Sequence, residues 1–494
     1  MASTPSDGTP SEDPPAAREA GELPTGRIAR TARFGGLVAG QGLRWAGTRA
    51  ANRVRSPERA AQASGERTMA LADELVRQLG QMRGAAMKVG QILSMVELDG
   101  LPEDQQDELQ RKLAALRDDV PPVPFPKLER MIADELGGPL SRSFAEFDRE
   151  AFAAASIGQV HRARTRDGDD VVVKVQYPGV AEAVETDLRN ATMLTPLLRR
   201  LAPGLDVGAL LGELRERIGE ELDYELEAQN QRRIERLVRG AGGVGGHPFL
   251  HVPHVHSDLS SRRVLVSEYV EGARFEQVRR ADEATRDRYG EIVLRFFFGL
   301  LYRDRIALGD PHPGNYLLRP DGRVCFLDFG LLRSVEAADL DGERAIARAV
   351  GGRDAAGLHE ALIATGYLRR AGAEQDDPEL LLAMLRAATR WYAEPGARRF
   401  GPEDARAARR GGTGEERQAV RDQMRRFTVP PHAVLVRRMH AVVAIVLGQL
   451  RAGADWGAIA AEYLHGAPPA TPLGEQEAAH LAGRRGSAAP SSAG

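Results

Sequence analysis

Five side chains in this 494-residue sequence have the types and order that phosphate chemistry needs. Lys174 interrupts the β-branched run Val171–Val175, and Glu227 follows in a charged helical stretch. Asp310 and Asn315 bracket Asp-Pro-His-Pro-Gly-Asn, and Asp328 opens Asp-Phe-Gly behind an apolar run. Phosphoryl transfer asks a protein mainly to position groups and neutralise charge. An ammonium on the phosphates, an acid to hold it, and oxygen donors for Mg²⁺ meet that demand. Lys174 supplies the first and Glu227 the second. Asn315 and Asp328 supply the third, since Mg²⁺ is a hard ion that prefers oxygen. Pro311 and Pro313 keep their loop out of helix, so Asp310 and Asn315 can face one point, with Asp310 as base or as the group orienting the nucleophile. Only four of the 67 basic residues are lysines: Lys88, Lys112, Lys127 and Lys174. A Lys kept in so Arg-biased a chain suggests a site that needs the compact head group. His312 has no partner at metal-ligand spacing and reads as a loop-structuring residue; Cys325, in the apolar run, reads as inert core.

Elements must position these groups. The sequence predicts helices over 62–98, 103–117 and 126–137, then two strands, Phe152–Ala163 and Asp170–Gln176, joined by the turn Arg166-Asp167-Gly168-Asp169. Helices are expected over 180–202 and 209–240; the register of the second sets Asp223 and Glu227 on one face. A strand over 263–270, a long helix over 281–305, a hairpin through Asp321-Gly322 and a strand Val324–Leu327 follow. Residues 335–465 read as mainly helical, with a charged break at 401–416.

Once these elements are assigned, the motifs resemble those of the UbiB/ABC1/ADCK (AarF) atypical kinase-like family. Ala153-Ala154-Ala155-Ser156-Ile157-Gly158-Gln159-Val160-His161 is similar to that family's Ala-rich nucleotide loop. Lys88-Val89-Gly90-Gln91 resembles its Lys-x-Gly-Gln motif and Glu221-Leu222-Asp223 its Glu-x-Asp motif. The resemblance covers roughly residues 60–335. It implies an α+β, two-lobed protein-kinase-like fold, with an N-terminal helical extension carrying Lys-x-Gly-Gln and a mostly helical C-terminal lobe. It also implies ATP or ADP with Mg²⁺ as cofactors. Nucleotide contacts are then expected at Ala153, Ala155, Ser156, Gly158, Val160, Lys174, Glu268 and Val270. Metal ligands are expected at Asn315 and Asp328, and catalytic roles at Asp310, Lys174 and Glu227. A regulatory extension would place Lys88 and Gln91 over the cleft, with Glu221 and Asp223 as charge partners. Family members act in isoprenoid-quinone or lipid metabolism, often at membranes. An anionic membrane, a lipid or isoprenoid, and quinone-biosynthesis proteins are therefore the expected partners besides nucleotide. Alanines in place of loop glycines predict a stiffer phosphate loop and an altered ATP/ADP preference. Leu308-Gly309 stands where many relatives have His-Ala, which predicts weaker support for the catalytic loop and slow turnover.

Composition bounds the rest. Lys plus Arg is 67 against 70 acids, a net charge of −3, which argues against a nucleic-acid-coating protein. The single cysteine excludes internal disulfides and suits a reducing compartment. Residues 1–26 and 467–494 read as disordered tails. Residues 27–61 form a basic arm with seven arginines and no acid over 27–55, either a membrane-surface segment or a solvated arm. Residues 62–143 are the helical extension, 144–272 the N-lobe, and 273–466 the C-lobe with its helical C-terminal region. No secretory signal or membrane span is expected, so the reading is cytoplasmic or peripheral to a membrane, with contact through 27–55 or the apolar helix near 432–450. Competing readings are an aminoglycoside-kinase-like small-molecule kinase and a nucleotide-gated scaffold without catalysis.

Overall fold

The computed structural model describes residues 123–155, 157–193, 195, 207–239, 246–309, 312–401, 419, 420 and 422–487. Lys88, Gln91, Ser156, Asp310, the N-terminal tail, the basic arm, most of the helical extension and nearly all of the 401–416 break lie outside the described residues. The chain divides into two compact units. Among the described residues the smaller holds 123–130 and 177–218, including helix Val180–Met193. The larger holds 131–176 and 219 onward. The candidate site belongs to this larger unit.

Its first sheet contains β1 (Phe144–Phe147), β2 (Ala153–Ala155), β3 (Gly158–Thr165), β4 (Asp170–Gln176) and, later in the chain, β6 (Val264–Glu268). The order is β1-β3-β4-β6, with β2 paired to β3, and every pairing is antiparallel. Alternation explains these strands. In β3, Gln159, His161 and Ala163 are buried while Arg162 and Arg164 face out; in β4, Val171, Val173 and Val175 are buried while Lys174 lies on the other face. The expected single strand Phe152–Ala163 is instead the tight β2–β3 hairpin, in which Ala155 pairs with Gly158. β1 was not foreseen, because four residues carry little periodicity.

The expected continuous helix over 209–240 is broken into Val207–Glu221 and α1 (Tyr224–Arg239). Asp223 lies outside both: its Oδ1 accepts from the backbone N–H groups of Glu225 and Leu226, each at 3.1 Å, and so caps α1. It therefore does not share a helix face with Glu227 as the sequence suggested.

The second sheet runs β5 (Leu250–His251), β10 (Val324–Phe326), β9 (Tyr316–Leu318), β7 (Ala273–Arg274). β8 (Ile306–Leu308) pairs with β11 (Leu332–Ser334). Between β7 and β8 runs α2 (Glu283–Phe298), capped by Asp282, whose carboxylate accepts from Thr285 N–H at 2.8 Å. Successive residues point about 100° apart on a helix, so Phe296, Phe297 and Phe298 are all buried only because α2 is surrounded. Phe296 stacks on Phe326 at 3.6 Å between centroids. A five-residue π-helical turn, Gly299–Arg303, ends the helix sooner than the expected 305.

Among the described residues the rest of the chain is mainly helical, with α3 (Ala337–Gly352), α4 (Ala355–Ala364), α5 (Pro378–Ala393), α6 (Pro431–Leu450), α7 (Trp456–His465) and α8 (Pro472–Ser487), and with one short antiparallel pair, Arg398–Arg399 against Gly453–Ala454. Within α6, Ala433–Leu450 is long and apolar enough to cross a membrane by length and composition, yet half of it is buried. Val436, Met439, Val443, Val446 and Leu447 join the core that contains α2. α8 corrects the expectation of a disordered tail over 467–494. Residues 472–487 form a helix whose Leu473 and Glu477 are buried. Glu477 bonds Arg295 at 3.3 Å and Arg303 at 2.7 Å.

Candidate active site

β4 and α1 build the first half of the site. Lys174 Nζ donates to both carboxylate oxygens of Glu227 at 2.8 Å. The side chains are 26% and 7% exposed. Burial alone would discharge such a pair. Here the carboxylate of Glu227, helped by Tyr224 and Asp328, outweighs the desolvation of Lys174 and holds its ammonium above the usual lysine range. The ammonium also lies 4.8 Å from the Tyr224 ring centroid. Tyr224 opens α1 one turn before Glu227, and sequence reasoning overlooked it; its signal was the i,i+3 spacing to Glu227.

The loops around β9 and β10 build the second half. Asn315 ends a 3₁₀ turn over Pro313–Asn315. His312 Nδ1 accepts from Gly314 N–H at 3.1 Å, the loop-structuring role expected for it. Asn315 Nδ2 donates to Asp328 Oδ2 at 3.2 Å, so these two side chains converge. Gly330 N–H donates to the other carboxylate oxygen of Asp328 at 2.9 Å. Phe329 is fully buried in the core. Its carbonyl accepts from Asn230 Nδ2 at 3.0 Å. Asn230 sits three residues beyond Glu227, so one face of α1 holds Lys174 through Glu227 and the Asp-Phe-Gly segment through Asn230. Asn230 was also missed; only its place on the Glu227 face could have pointed to it.

This donor set fits Mg²⁺. An amide oxygen and a carboxylate are hard donors, and Mg²⁺ takes one or two carboxylates, completing its shell with phosphate oxygens and water. Among the described residues no cluster of three or more His, Cys, Asp or Glu offers an all-protein metal cage.

Ala153 and Ala155 lie in the extended β2, a conformation open to alanine without the φ freedom of glycine. Gly158 is required for a different reason: a Cβ there would sit 2.2 Å from the Val175 carbonyl oxygen. Val160 is the register partner of Lys174. Glu268 ends β6, and Val270 is buried just beyond. Burial pushes the Glu268 carboxyl up, but hydrogen bonds from His251 and the His254 N–H, with Arg319 nearby, bring it below the usual range. Its carboxylate is thus committed to His251 at 3.1 Å. Glu221 ends the helix before α1.

The Leu308-Gly309 departure has a structural counterpart. Leu308 is buried in the main core, and Gly309 N–H donates to the Leu331 carbonyl at 2.8 Å. A Cβ on Gly309 would lie 1.9 Å from a Leu331 methyl. The residues leading into Asp310 are anchored by packing rather than by a histidine.

The sequence matches the ABC1 atypical kinase-like domain over residues 115–362, half of the chain. The chain belongs to this family. It is 30% identical over 351 residues to the mitochondrial atypical kinase COQ8 of Saccharomyces cerevisiae, covering 70% of this chain and 67% of the yeast protein. With the mitochondrial atypical kinase COQ8B of Danio rerio it shares 31% identity over 316 residues, 63% of this chain and 49% of the fish protein. The chain thus spans about half to two thirds of the length of these relatives. Among solved structures, the Rv3197–erythromycin complex from Mycobacterium tuberculosis aligns with TM-score 0.58 and 29% identity, over 81% of this chain and 97% of that one. The mixed helix and strand content is that of an α+β kinase-like fold, as ABC1 membership entails.

Proposed function

We propose that this ABC1-family chain is a two-lobed atypical kinase that binds Mg²⁺ with ATP or ADP. Its slow phosphoryl transfer or ATP hydrolysis supports isoprenoid-quinone or lipid metabolism at a membrane surface. The observation that carries this reading is the Lys174–Glu227 pair, in electrostatic reach of an Asp328 that already meets Asn315.

In this reading Lys174 binds phosphate oxygens while Glu227 fixes the direction of its ammonium. Asn315 and Asp328 would hold Mg²⁺, which when bound supplies charge neutralisation at the phosphates. Asn230 holds the Phe329 carbonyl and thereby the approach of Asp328. Asp310 takes the proton of the attacking hydroxyl or water. The β2–β3 hairpin covers the nucleotide through Ala153, Ala155, Ser156, Gly158 and Val160. Glu268 and Val270 contribute to the base side through their backbone, because the Glu268 carboxylate is already engaged. Lys88, Gln91, Glu221 and Asp223 serve regulation, with Asp223 also capping α1.

ATP hydrolysis, measured with and without anionic liposomes, tests the enzymatic part. The expected result is slow, Mg²⁺-dependent turnover that liposomes stimulate and Asp328→Asn abolishes. Quinone and lipid profiles of a deletion strain complemented with wild type or Asp328→Asn test the metabolic part; equal rescue by both would contradict a catalytic role.

A second reading rests on the solved neighbour, which holds erythromycin and aligns over nearly its whole length. A macrolide-type ligand would then bind this chain too. Titration with erythromycin, with and without Mg-ADP, tests it, and no saturable binding would dismiss it.

A further inference from the structure

The face of the sheet that carries Lys174 continues away from the hairpin tip. Val160 is opposite Lys174, and Arg162, two residues farther along β3, is opposite Val172. Residues two apart on a strand share a face, so Arg162 lies on the Lys174 face, about 7 Å beyond Val160. If the hairpin tip covers phosphates, as the proposed function has it, the stem beyond Val160 covers the base. At that end the guanidinium of Arg162 is held between two rings. Its Cζ lies 4.3 Å from the Phe152 centroid and 4.5 Å from that of Tyr269. Its Nη2 donates to the Tyr269 hydroxyl at 2.7 Å. The rings themselves meet edge to face at 6.1 Å.

The connectivity gives this stack its meaning. Phe152 immediately precedes β2, Arg162 lies in β3, and Tyr269 directly follows β6. No hydrogen-bonded ladder joins β2 to β6; they are separated by β3 and β4. The stack is a direct tie from the hairpin to the segment that follows β6. Phe152 is 39% exposed, an apolar ring kept at the surface where a solvated loop would be expected to turn it inward. Arg suits this place and Lys does not, because a planar guanidinium stacks on two faces at once and still donates a directed bond.

We propose that Arg162 is a positioning residue for the base half of the nucleotide: it pins the β2–β3 hairpin to the segment after β6. The inference rests on the nucleotide-site reading above. It requires that loosening the stack speeds release of the base-bearing ligand while leaving the phosphate subsite intact.

The test uses the full chain. Release of Mg²⁺-bound N-methylanthraniloyl-ADP is followed by stopped flow, and Mg-tripolyphosphate, which has phosphates and no base, is titrated in parallel. Arg162→Ala is expected to release the adenine nucleotide about tenfold faster, with tripolyphosphate affinity changed by less than about twofold. Arg162→Lys is expected to fall between, and Tyr269→Phe, which keeps the stack and loses only the hydroxyl bond, to stay near wild type. Arg162 is exposed, so an unchanged thermal melt should accompany these effects. A wild-type release rate in Arg162→Ala, or equal weakening of both ligands, would overturn this inference alone. Failure of the unaltered chain to bind any nucleotide would overturn the site reading and this inference with it.

Discussion

Lys174 and Glu227 show how much of the site depends on single charges. Each is poorly solvated, and each is tolerable only because the other is 2.8 Å away. Removing one partner of a buried pair strands the other, at a cost of roughly 3–5 kcal/mol. Lys174→Met should therefore lower stability by about 3 kcal/mol, whereas Lys174→Met with Glu227→Gln should recover most of that loss. Chemical unfolding of the four cycle members measures this. Nucleotide binding should be lost in both Lys174 variants, which separates the ligand role from the folding role. Gly309 makes a steric prediction. Gly309→Ala drives a methyl into Leu331 and should cost about 1–3 kcal/mol, and Leu331→Ala in the same chain should relieve part of it. If Gly309→Ala alone is neutral, the anchoring described for the loop before Asp310 is wrong. Lys174, Glu227, Asn315 and Asp328 were legible because their chemistry requires their residue types. Tyr224, Asn230 and Arg162 were not, because an aromatic, an amide or an arginine becomes informative only when its neighbours in space are known.

At the level of elements, α1 and α8 carry most of the consequence. α1 presents Tyr224, Glu227 and Asn230 at helical spacing, so it sets β4 and the Asp-Phe-Gly segment against one another. α8 is tied to α2 through Arg295, whose side chain is fully buried. Arg295 bonds Glu291 at 2.7 Å, Glu462 at 2.8 Å and Glu477 at 3.3 Å. His480 on α8 reaches the Val238 carbonyl at the end of α1 at 3.3 Å. Glu477→Ala should therefore detach α8, cost about 3 kcal/mol and open residues 472–487 to limited proteolysis. Unchanged protease resistance would show that α8 is held by something other than this ion network. Nothing in the residue pattern announced α8, since Pro, Gly and Ala surround it and the two arginines that hold Glu477 lie over 170 residues away. The helix break before α1 was equally hidden. Its signal, Asp223 as a cap, competes with an otherwise continuous helical pattern. β4 and β6, by contrast, were readable as short apolar runs rich in β-branched residues, whereas β1 and the turn between β2 and β3 were not.

For the molecule as a whole, part of the loss of stability in acid follows from its buried histidines. His440 stacks against Phe298 at 5.2 Å between centroids and lies 3.1 Å from the Tyr302 hydroxyl. Burial, with Arg437 nearby, pushes its imidazole down to about 3. Burial also lowers His161, against the raising effect of the Asp148 carbonyl it donates to. Below about pH 6.5 the unfolded chain takes up a proton that folded His440 refuses. The stability due to its neutral form is complete above that pH and falls by about 1.4 kcal/mol per unit as pH drops toward 3. Urea unfolding at pH 7, 6 and 5 should show this decline, and His440→Phe should flatten it by that amount. An identical pH slope in the variant would exclude His440 as the source.

The proposed function requires Lys174, Asn315 and Asp328 to converge on a Mg-nucleotide. Calorimetric titration of the full chain with Mg-ATP and Mg-ADP, alongside Lys174→Ala and Asp328→Asn, measures it most directly. Saturable one-site binding by the unaltered chain, weakened at least about tenfold in each variant, is the expected result. No heat from the unaltered chain, or undiminished binding by both variants, would contradict it.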